Sequence, residues 1–539
     1  MLKKLSYFGC WMLFLLLFVA CSNDDVASEK DEQDSGNDKE ISDNFNKEGL
    51  PIVDEKVSLH FVSPKAPLAP DYNEMEIIQR LEDKTNVHIE WDNISGDGYE
   101  ERKNLMFASD ELPDAFYHAE FSDYDIVRYG RSGQIIPLED LIEEHAPNLQ
   151  KIFEKRPELK SMVTAPDGHI YSLPRAEEMG LVAVPNFTSI NTKWLDELGL
   201  DMPTTLEEYG DVLRAFRDQD PNNTGEDDVI PLSYMHNFWT GNFGDMFAAF
   251  GVPDNTEHRI VRDGEVIFTA TQPEYKEAIE YFHGWVEEGL IDDESFIQDV
   301  SQYFAKGKTD PPTLGSYIWW ETEEIVGPER SDDYELLPPL EGPNGHKIVG
   351  RSNNSEYSRG AFAITSANEH PEITMRWVDQ IYDPKMSAQM SWGPIGIIYE
   401  EDENGMLVNK ELEEGVAMGE LRQKVAPNGP TVVLEEDFGT VVDMEPRAKQ
   451  RLKDIQEIYE PYLEEESFPQ IFFSEEELDQ INRLEVDILE FVNQKQASWL
   501  LNGGVEEEWD SYIQQLESMG LHELMQIYQD GLDRFNENL

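Results

Sequence analysis

Lys56-Val57-Ser58-Leu59-His60-Phe61-Val62 opens the folded part of the chain, and the segments after it decide the fold class. Its polar and apolar side chains alternate as a strand requires. Asn73 to Thr85 comes next, with Met75, Ile77, Ile78 and Leu81 at helical spacing. Val87-His88-Ile89-Glu90-Trp91 reads as a second strand and Tyr99 to Ala108 as a second helix. Strand and helix in alternation predict a parallel sheet covered on both faces, so the expected class is α/β. The rhythm continues through Leu112-Pro113-Asp114-Ala115-Phe116-Tyr117.

The whole chain has 539 residues, of which 39% are hydrophobic and 11% aromatic, enough to build a large core. It carries 111 Asp+Glu against 42 Lys+Arg, a formal net charge of −69. Phosphate binding needs clustered cations, so nucleic acid and anionic lipid are excluded as ligands. Such a surface suits solubility in a salty or alkaline exterior.

The N-terminus supports an extracytoplasmic location. Met1-Leu2-Lys3-Lys4 is positive, and Leu5 to Ala20 holds no charge. That run is short for a membrane-spanning helix, which needs about 20 residues, so residues 1–20 read as a signal peptide. Phe18-Val19-Ala20-Cys21 resembles a bacterial lipobox, with Phe18 where Leu is usual. The resemblance implies that Cys21 is diacylated and becomes the new N-terminus; the alternative is an ordinary secretory signal. Two or more acyl chains hold a protein stably on a bilayer, so the membrane is a partner only through this anchor. Loss of the leader would also remove Cys10, leaving no second cysteine for a disulfide or a Cys-ligated metal. Residues 21–50 are rich in Asp, Glu, Ser, Asn and Lys and read as an acidic, disordered tether.

Several segments resemble extracellular solute-binding proteins that feed ABC importers. They are Ala108-Ser109-Asp110-Glu111-Leu112-Pro113-Asp114, Gly133 to Ile142, Pro166-Asp167-Gly168-His169-Ile170-Tyr171-Ser172-Leu173-Pro174, and Asn191-Thr192-Lys193-Trp194-Leu195-Asp196-Glu197-Leu198-Gly199-Leu200. Trp509 to Tyr512 and Met519 to Leu521 fit the large lipoprotein branch, which includes alginate and pectin oligosaccharide binders. The resemblance implies a two-lobed periplasmic-binding-protein-like fold of type II, with a hinge of several chain crossings. On it, lobe 1 is residues 51–185 plus about 346–400, and lobe 2 is 186–345 plus about 401–539. Val182 to Asn191 would be the first crossing and Gly360 to Ile364 a return strand. The implied function is capture of an oligosaccharide between the lobes and its delivery to an importer permease, by a monomer on a Gram-positive outer surface.

Asp220-Pro221-Asn222-Asn223-Thr224-Gly225-Glu226-Asp227-Asp228 places oxygen side chains at positions 1, 3, 5 and 9, with Gly at 6. That spacing is like the first part of an EF-hand loop. Similar proteins bind calcium here. By that resemblance Asp220, Asn222, Thr224 and Asp228 would be side-chain ligands, and Glu226 a carbonyl ligand, of a structural calcium. Val229 stands where the family has Glu. The alternative is a metal-free turn after the Leu206–Arg217 helix.

Sugars present apolar ring faces and arrays of hydroxyls, so their sites combine aromatic platforms with planar hydrogen-bonding groups. Trp239, Trp319, Trp320 and Trp392 are the candidate platforms, each of which could instead be core. Arg175, Glu321, Asn353, Asn354 and Arg359 are the candidate polar partners. Arg175 and Arg359 together could clamp a uronate carboxylate. No H-E-x-x-H, P-loop, dinucleotide fingerprint or G-x-S-x-G is present, and the family resemblance implies a binding protein, not an enzyme. A peptide or other solute receptor on the same scaffold, and a polysaccharide-degrading enzyme, are the alternatives.

Overall fold

Residues 57–65 form β1 (Val57–Lys65), and their burial explains its place in the sheet. Sequence alternation persists only at its start, where Ser58 and His60 are exposed around buried Leu59. Phe61, Val62, Ser63 and Pro64 are all buried, as in a strand covered on both faces. The computed structural model describes residues 44–353, 355–413 and 415–537. β2 (Val87–Ser95) runs parallel to β1 along its whole length, from Val57 opposite Val87 to Lys65 opposite Ser95. β3 (Ala115–Tyr117) adds in parallel on the other side, and the chain then reaches β4 (Leu173–Glu177).

After residues 178–186 a second sheet begins. It contains β5 (Phe187–Asn191) and β6 (Ile230–Ser233). A hairpin comes next, β7 (Arg259–Arg262) with β8 (Glu265–Phe268). β9 (Leu314–Trp319) and β10 (Tyr334–Leu336) complete the second sheet in the order β10-β5-β9-β6. Residues 337–356 lead back to the first sheet, where β11 (Tyr357–Ile364) is antiparallel to both β3 and β4. A second hairpin, β12 (Tyr399–Glu401) and β13 (Leu407–Asn409), precedes β14 (Val432–Val433). β14 pairs in parallel with β4, giving the order β14-β4-β11-β3-β1-β2. The protein is thus a two-lobed α/β structure.

The strand order corrects one expected boundary. The family resemblance puts residues from 401 in lobe 2, yet β14 is an edge strand of the first sheet, so the chain leaves that lobe only after Val433. A two-residue strand carries no readable period, and the tie is made by backbone hydrogen bonds, for example Ala176 N to Thr431 O at 2.8 Å.

The chain ends in helices at Pro446–Asp454, Glu475–Asn502, Val505–Met519 and Leu521–Glu537. Ser474 and Glu477 form a capping box that starts the longest of them. Its Ile488, Val492, Trp499 and Leu500 share a core with Tyr275, Phe282 and Trp285 of the Pro273–Glu287 helix. Val127 of the first-lobe helix Asp123–Ser132 belongs to the same cluster, so the long helix touches both lobes. The signal peptide, Cys21, nearly all of the tether and Asn354 lie outside the described residues. Among the described residues no helix is long and apolar enough to cross a membrane.

Candidate functional site

Between the sheets lies a cleft of about 350 Å³ whose floor is made by the segments that cross from one lobe to the other. Leu181, Val182, Val184 and Pro185 come from the first crossing, Ser355 and Glu356 from the second, and Phe438, Asp443 and Glu445 from the third. The first-lobe wall carries Arg175 and Glu177 from β4, Trp392, Tyr399 and Arg422. The opposite wall carries Trp239, Trp320, Arg447 and Arg451. Beyond the cleft the lobes meet, where Lys308 pairs with Glu420 at 3.2 Å.

Each wall holds arginines against carboxylates. Arg175 Nη2 is 3.0 Å from Glu177 Oε1. Burial pushes the Glu177 carboxyl up, but the nearby Arg175 and Arg422 guanidinium groups outweigh it and leave it below its ordinary value. Burial drives the Arg422 guanidinium down despite Glu177, and its Nε donates to the Ser391 carbonyl at 3.1 Å. On the other wall Arg447 donates to Glu323 and to Glu445, each at 2.8 Å, and Arg451 pairs with Glu321. The Arg451 guanidinium also lies 4.8 Å from the centre of the Trp320 ring, a cation–π contact that fixes the platform. Nearby, burial and then the charge of Arg175 push the His118 imidazole down to about 4, so it is neutral at physiological pH.

Of the residues expected at the site, Arg175, Trp239, Trp320 and Trp392 line the cleft. Trp239 is 54% exposed, which is unusual for tryptophan unless something covers it. Trp392 sits beside Phe438, ring centres 5.8 Å apart. Trp319 does not line the cleft and is corrected to a core residue. It is 4% exposed, parallel to Phe238 at 6.0 Å, and its Nε1 donates to Glu324 at 2.9 Å. Successive side chains on a strand point to opposite faces, so the end of β9 sends Trp319 inward and leaves Trp320 for the cleft.

Glu321 is also buried behind the wall. It caps the Thr322–Val326 helix and anchors Arg451, acting through the arginine. Asn353 is fully engaged: it donates to the Arg259 carbonyl at 2.8 Å and accepts from Phe468 N at 2.8 Å, which holds the C-terminal segment. Arg359 points away from the cleft. It pairs with Asp123 at 3.3 Å and lies 4.3 Å from the Phe472 ring, so no two-arginine clamp with Arg175 forms. Sequence reasoning missed Glu177, Tyr399, Asn409, Arg422, Arg447 and Arg451. The available signal was the scarcity of cations, which makes three arginines within residues 422–451 conspicuous.

After the Leu206–Asp218 helix, the Asp220–Asp228 loop brings the Asn222, Thr224 and Asp228 side chains into contact, while the Asp220 side chain bonds the loop backbone. Thr224 Oγ1 is 3.0 Å from Asp228 Oδ1 and 3.4 Å from Asn222 Oδ1. The Asp220 carboxylate accepts from Thr224 N and Gly225 N, both at 3.0 Å. Oxygens this close to one another suit the shell of a hard cation. Only Asp220 and Asp228 supply ligand carboxylates, however, and among the described residues there is no cluster of three or more acidic, His or Cys groups for a metal.

The sequence matches the family described as bacterial extracellular solute-binding protein over residues 65–387. It is 38% identical, across 97% of both chains, to the fructooligosaccharide ABC transporter substrate-binding protein FusA of Streptococcus pneumoniae. The structure of FusA with kestose superposes with a TM-score of 0.86 and 40% identity, covering 89% of this chain and 100% of that one. An EF-hand mutant of FusA, bound to fructo-nystose, gives the same values. The alginate-binding protein AlgQ2 shares the fold, with a TM-score of 0.74 at 20% identity over 90% of this chain and 100% of its own. These relatives bind and carry solutes and are not enzymes. Two lobes with a cleft on their crossings, and a match extending over most of its length, place this chain in the bacterial extracellular solute-binding protein family.

Proposed function

We propose that this protein captures a fructooligosaccharide between its lobes and hands it to the permease of an ABC importer. The observation that carries the reading is the end-to-end similarity to FusA, which is a fructooligosaccharide-binding protein. The cleft chemistry supports it. Trp239 and Trp320 offer flat apolar faces to sugar rings, and Arg447 and Arg451 are held by carboxylates. The Arg175–Glu177 ion pair leaves Arg175 Nε and Glu177 Oε1 without hydrogen-bond partners, so polar groups are available for hydroxyls. A uronate-containing ligand loses support, because Arg359 is engaged elsewhere.

Calcium in the Asp220–Asp228 loop would be structural, crosslinking Asp220, Asn222, Thr224 and Asp228 at the end of a helix. The chain would act as a monomer, anchored through diacylated Cys21 to the outer face of a Gram-positive membrane. Replacement of Cys21 by Ala should then release it into the medium. The central test is calorimetric titration with kestose, followed by analysis of the sugar. Saturable binding with the trisaccharide recovered intact is the expected result. Binding of peptides but not of kestose or nystose would overturn the ligand class, and hydrolysis of kestose would overturn the receptor reading.

A further inference from the structure

Gly419 stands in the first turn of the helix Met418–Val425, on the first-lobe side of the cleft. Glycine forms helices less readily than any residue but proline. Its φ here lies outside the left-handed region, so the backbone gives no reason for it. The reason comes from the other lobe. A Cβ built on Gly419 would overlap Glu324 Oε1 and stand 3.3 Å from Glu324 Cδ and 3.5 Å from its Cγ. Glu324 belongs to the helix Thr322–Val326 of the second lobe. The lobes therefore touch at a point where one side has no side chain to give way.

The Glu324 carboxylate is aimed at this contact from behind. Trp319, a core residue, donates from Nε1 to Glu324 Oε2 at 2.9 Å. The Trp319 ring is itself fixed, edge-on to Tyr303 and Phe304 with centres 5.7 and 5.3 Å away. Burial raises the Glu324 carboxyl above its ordinary value, against the Trp319 bond and the charge of Arg422. Arg422 lies on the Gly419 helix, so this attraction runs from lobe to lobe and is strong only while the two are together. Lys308 and Glu420 add an exposed ion pair at 3.2 Å beside it, which contributes little by itself. Glu324 is not part of the cleft lining and needs no sugar contact to act.

We propose that Glu324 and Gly419 form a closure latch, in which the carboxylate, positioned by Trp319, seats in the space that glycine leaves on the facing helix. A contact made in only one form shifts the equilibrium toward that form, so the latch favours the closed, sugar-bound state. The proposal goes beyond the fructooligosaccharide reading and takes from it only the probe. The first test is kestose titration, with dissociation rates from stopped-flow tryptophan fluorescence, on the wild type, Gly419→Ala, Glu324→Ala and the double variant. Gly419→Ala should weaken kestose at least about fivefold, the low end of what overpacking costs, chiefly by faster dissociation. In the Glu324→Ala background the same methyl should cost less than about twofold, because the obstructed group is gone. The melting temperature of unliganded Gly419→Ala should not fall, since alanine suits a helix better. An equal loss in both backgrounds would overturn the latch, because the methyl would then be meeting the sugar. Unchanged affinity in Gly419→Ala, or a lower melting temperature, would overturn it too.

A second test needs no sugar. The 3.5 Å from Glu324 Cγ to the Cβ position of residue 419 is within reach of a disulfide, so Glu324→Cys with Gly419→Cys should crosslink under a mild oxidant. Cys10 and Cys21 are the only other cysteines, and peptide mapping identifies the bond. Absence of the crosslink would overturn the contact. Failure of kestose to bind the wild type would remove the fructooligosaccharide reading, and the crosslink would still decide the latch.

Discussion

Trp239→Ala separates binding from folding more sharply than any other change at the cleft. A whole tryptophan presents up to about 250 Å². With 54% of Trp239 exposed, roughly 130 Å² remains for a ligand to cover. A sugar ring stacks on one face, so about half of that is buried on binding. At about 25 cal/mol per Å² this is roughly 1.6 kcal/mol, or about a 15-fold loss of affinity. Complete coverage sets the upper limit near 3.3 kcal/mol, about 250-fold. The folded state loses little, because Trp239 only edges against Phe238 and Trp319, with ring centres 6.2 and 6.4 Å away. Exposed substitutions of this kind cost about 0.5 kcal/mol, so the melting temperature should fall by no more than about 2 °C. Titration with kestose and a thermal melt of the unliganded protein check both halves. Unchanged affinity would refute the platform role. A fall of many degrees would show Trp239 to be packing.

Four further changes probe parts outside the cleft. Burial pushes the His258 imidazole down, but the Asp254 carboxylate 2.8 Å away more than reverses this and raises it. The resulting stability is fully present below the unfolded value near 6.5 and is lost as pH rises through the folded value. Melts between pH 6 and 9 should therefore fall more steeply in the wild type than in His258→Gln; parallel curves would remove the ion pair as the cause. Burial raises the Asp245 carboxyl to about 7, so the stability it contributes is present below 3.8 and lost as pH rises through about 7. Asp245→Asn should be near neutral at pH 4 and stabilising at pH 8 by thermal melts, and a destabilised variant at pH 8 would contradict this. Calcium at roughly a hundred times its Kd should add about 2.7 kcal/mol of stability, and Asp228→Ala should abolish the effect. Val229→Glu should restore a carboxylate and tighten calcium binding measured by titration; unchanged affinity would place residue 229 outside the shell.

The sequence announced elements where local periodicity survives packing. The 56–62 strand and the helix of Ile77, Ile78 and Leu81 both have counterparts in the structure. Sites depend on orientation, which local pattern does not encode. Trp319 and Trp320 are chemically identical neighbours, and one residue of strand parity sends one into the core and the other to the ligand. Arg359 lies within β11 and points away from the cleft for the same kind of reason. Arg422, Arg447 and Arg451 reach the cleft only because the chain returns to the hinge some 250 residues after Arg175, a long-range event without a local signature.

The crossings that make the floor of the cleft have a consequence for how the protein communicates. Residues 178–186, 337–353, 355–356 and 444–445 join the lobes and lie nearest the axis of any opening motion, so they move least when the walls separate. A ligand atom resting on Val184 is held about equally in the open and closed forms. It adds affinity, yet it cannot bias one form over the other, because only differential contacts shift a conformational equilibrium. Bias must come from atoms that bridge Arg175 or Trp392 on one wall and Trp320 or Arg451 on the other. Two sugars of equal affinity could therefore differ in transport: one that lies along the floor would occupy the protein silently, and one that spans the walls would close it.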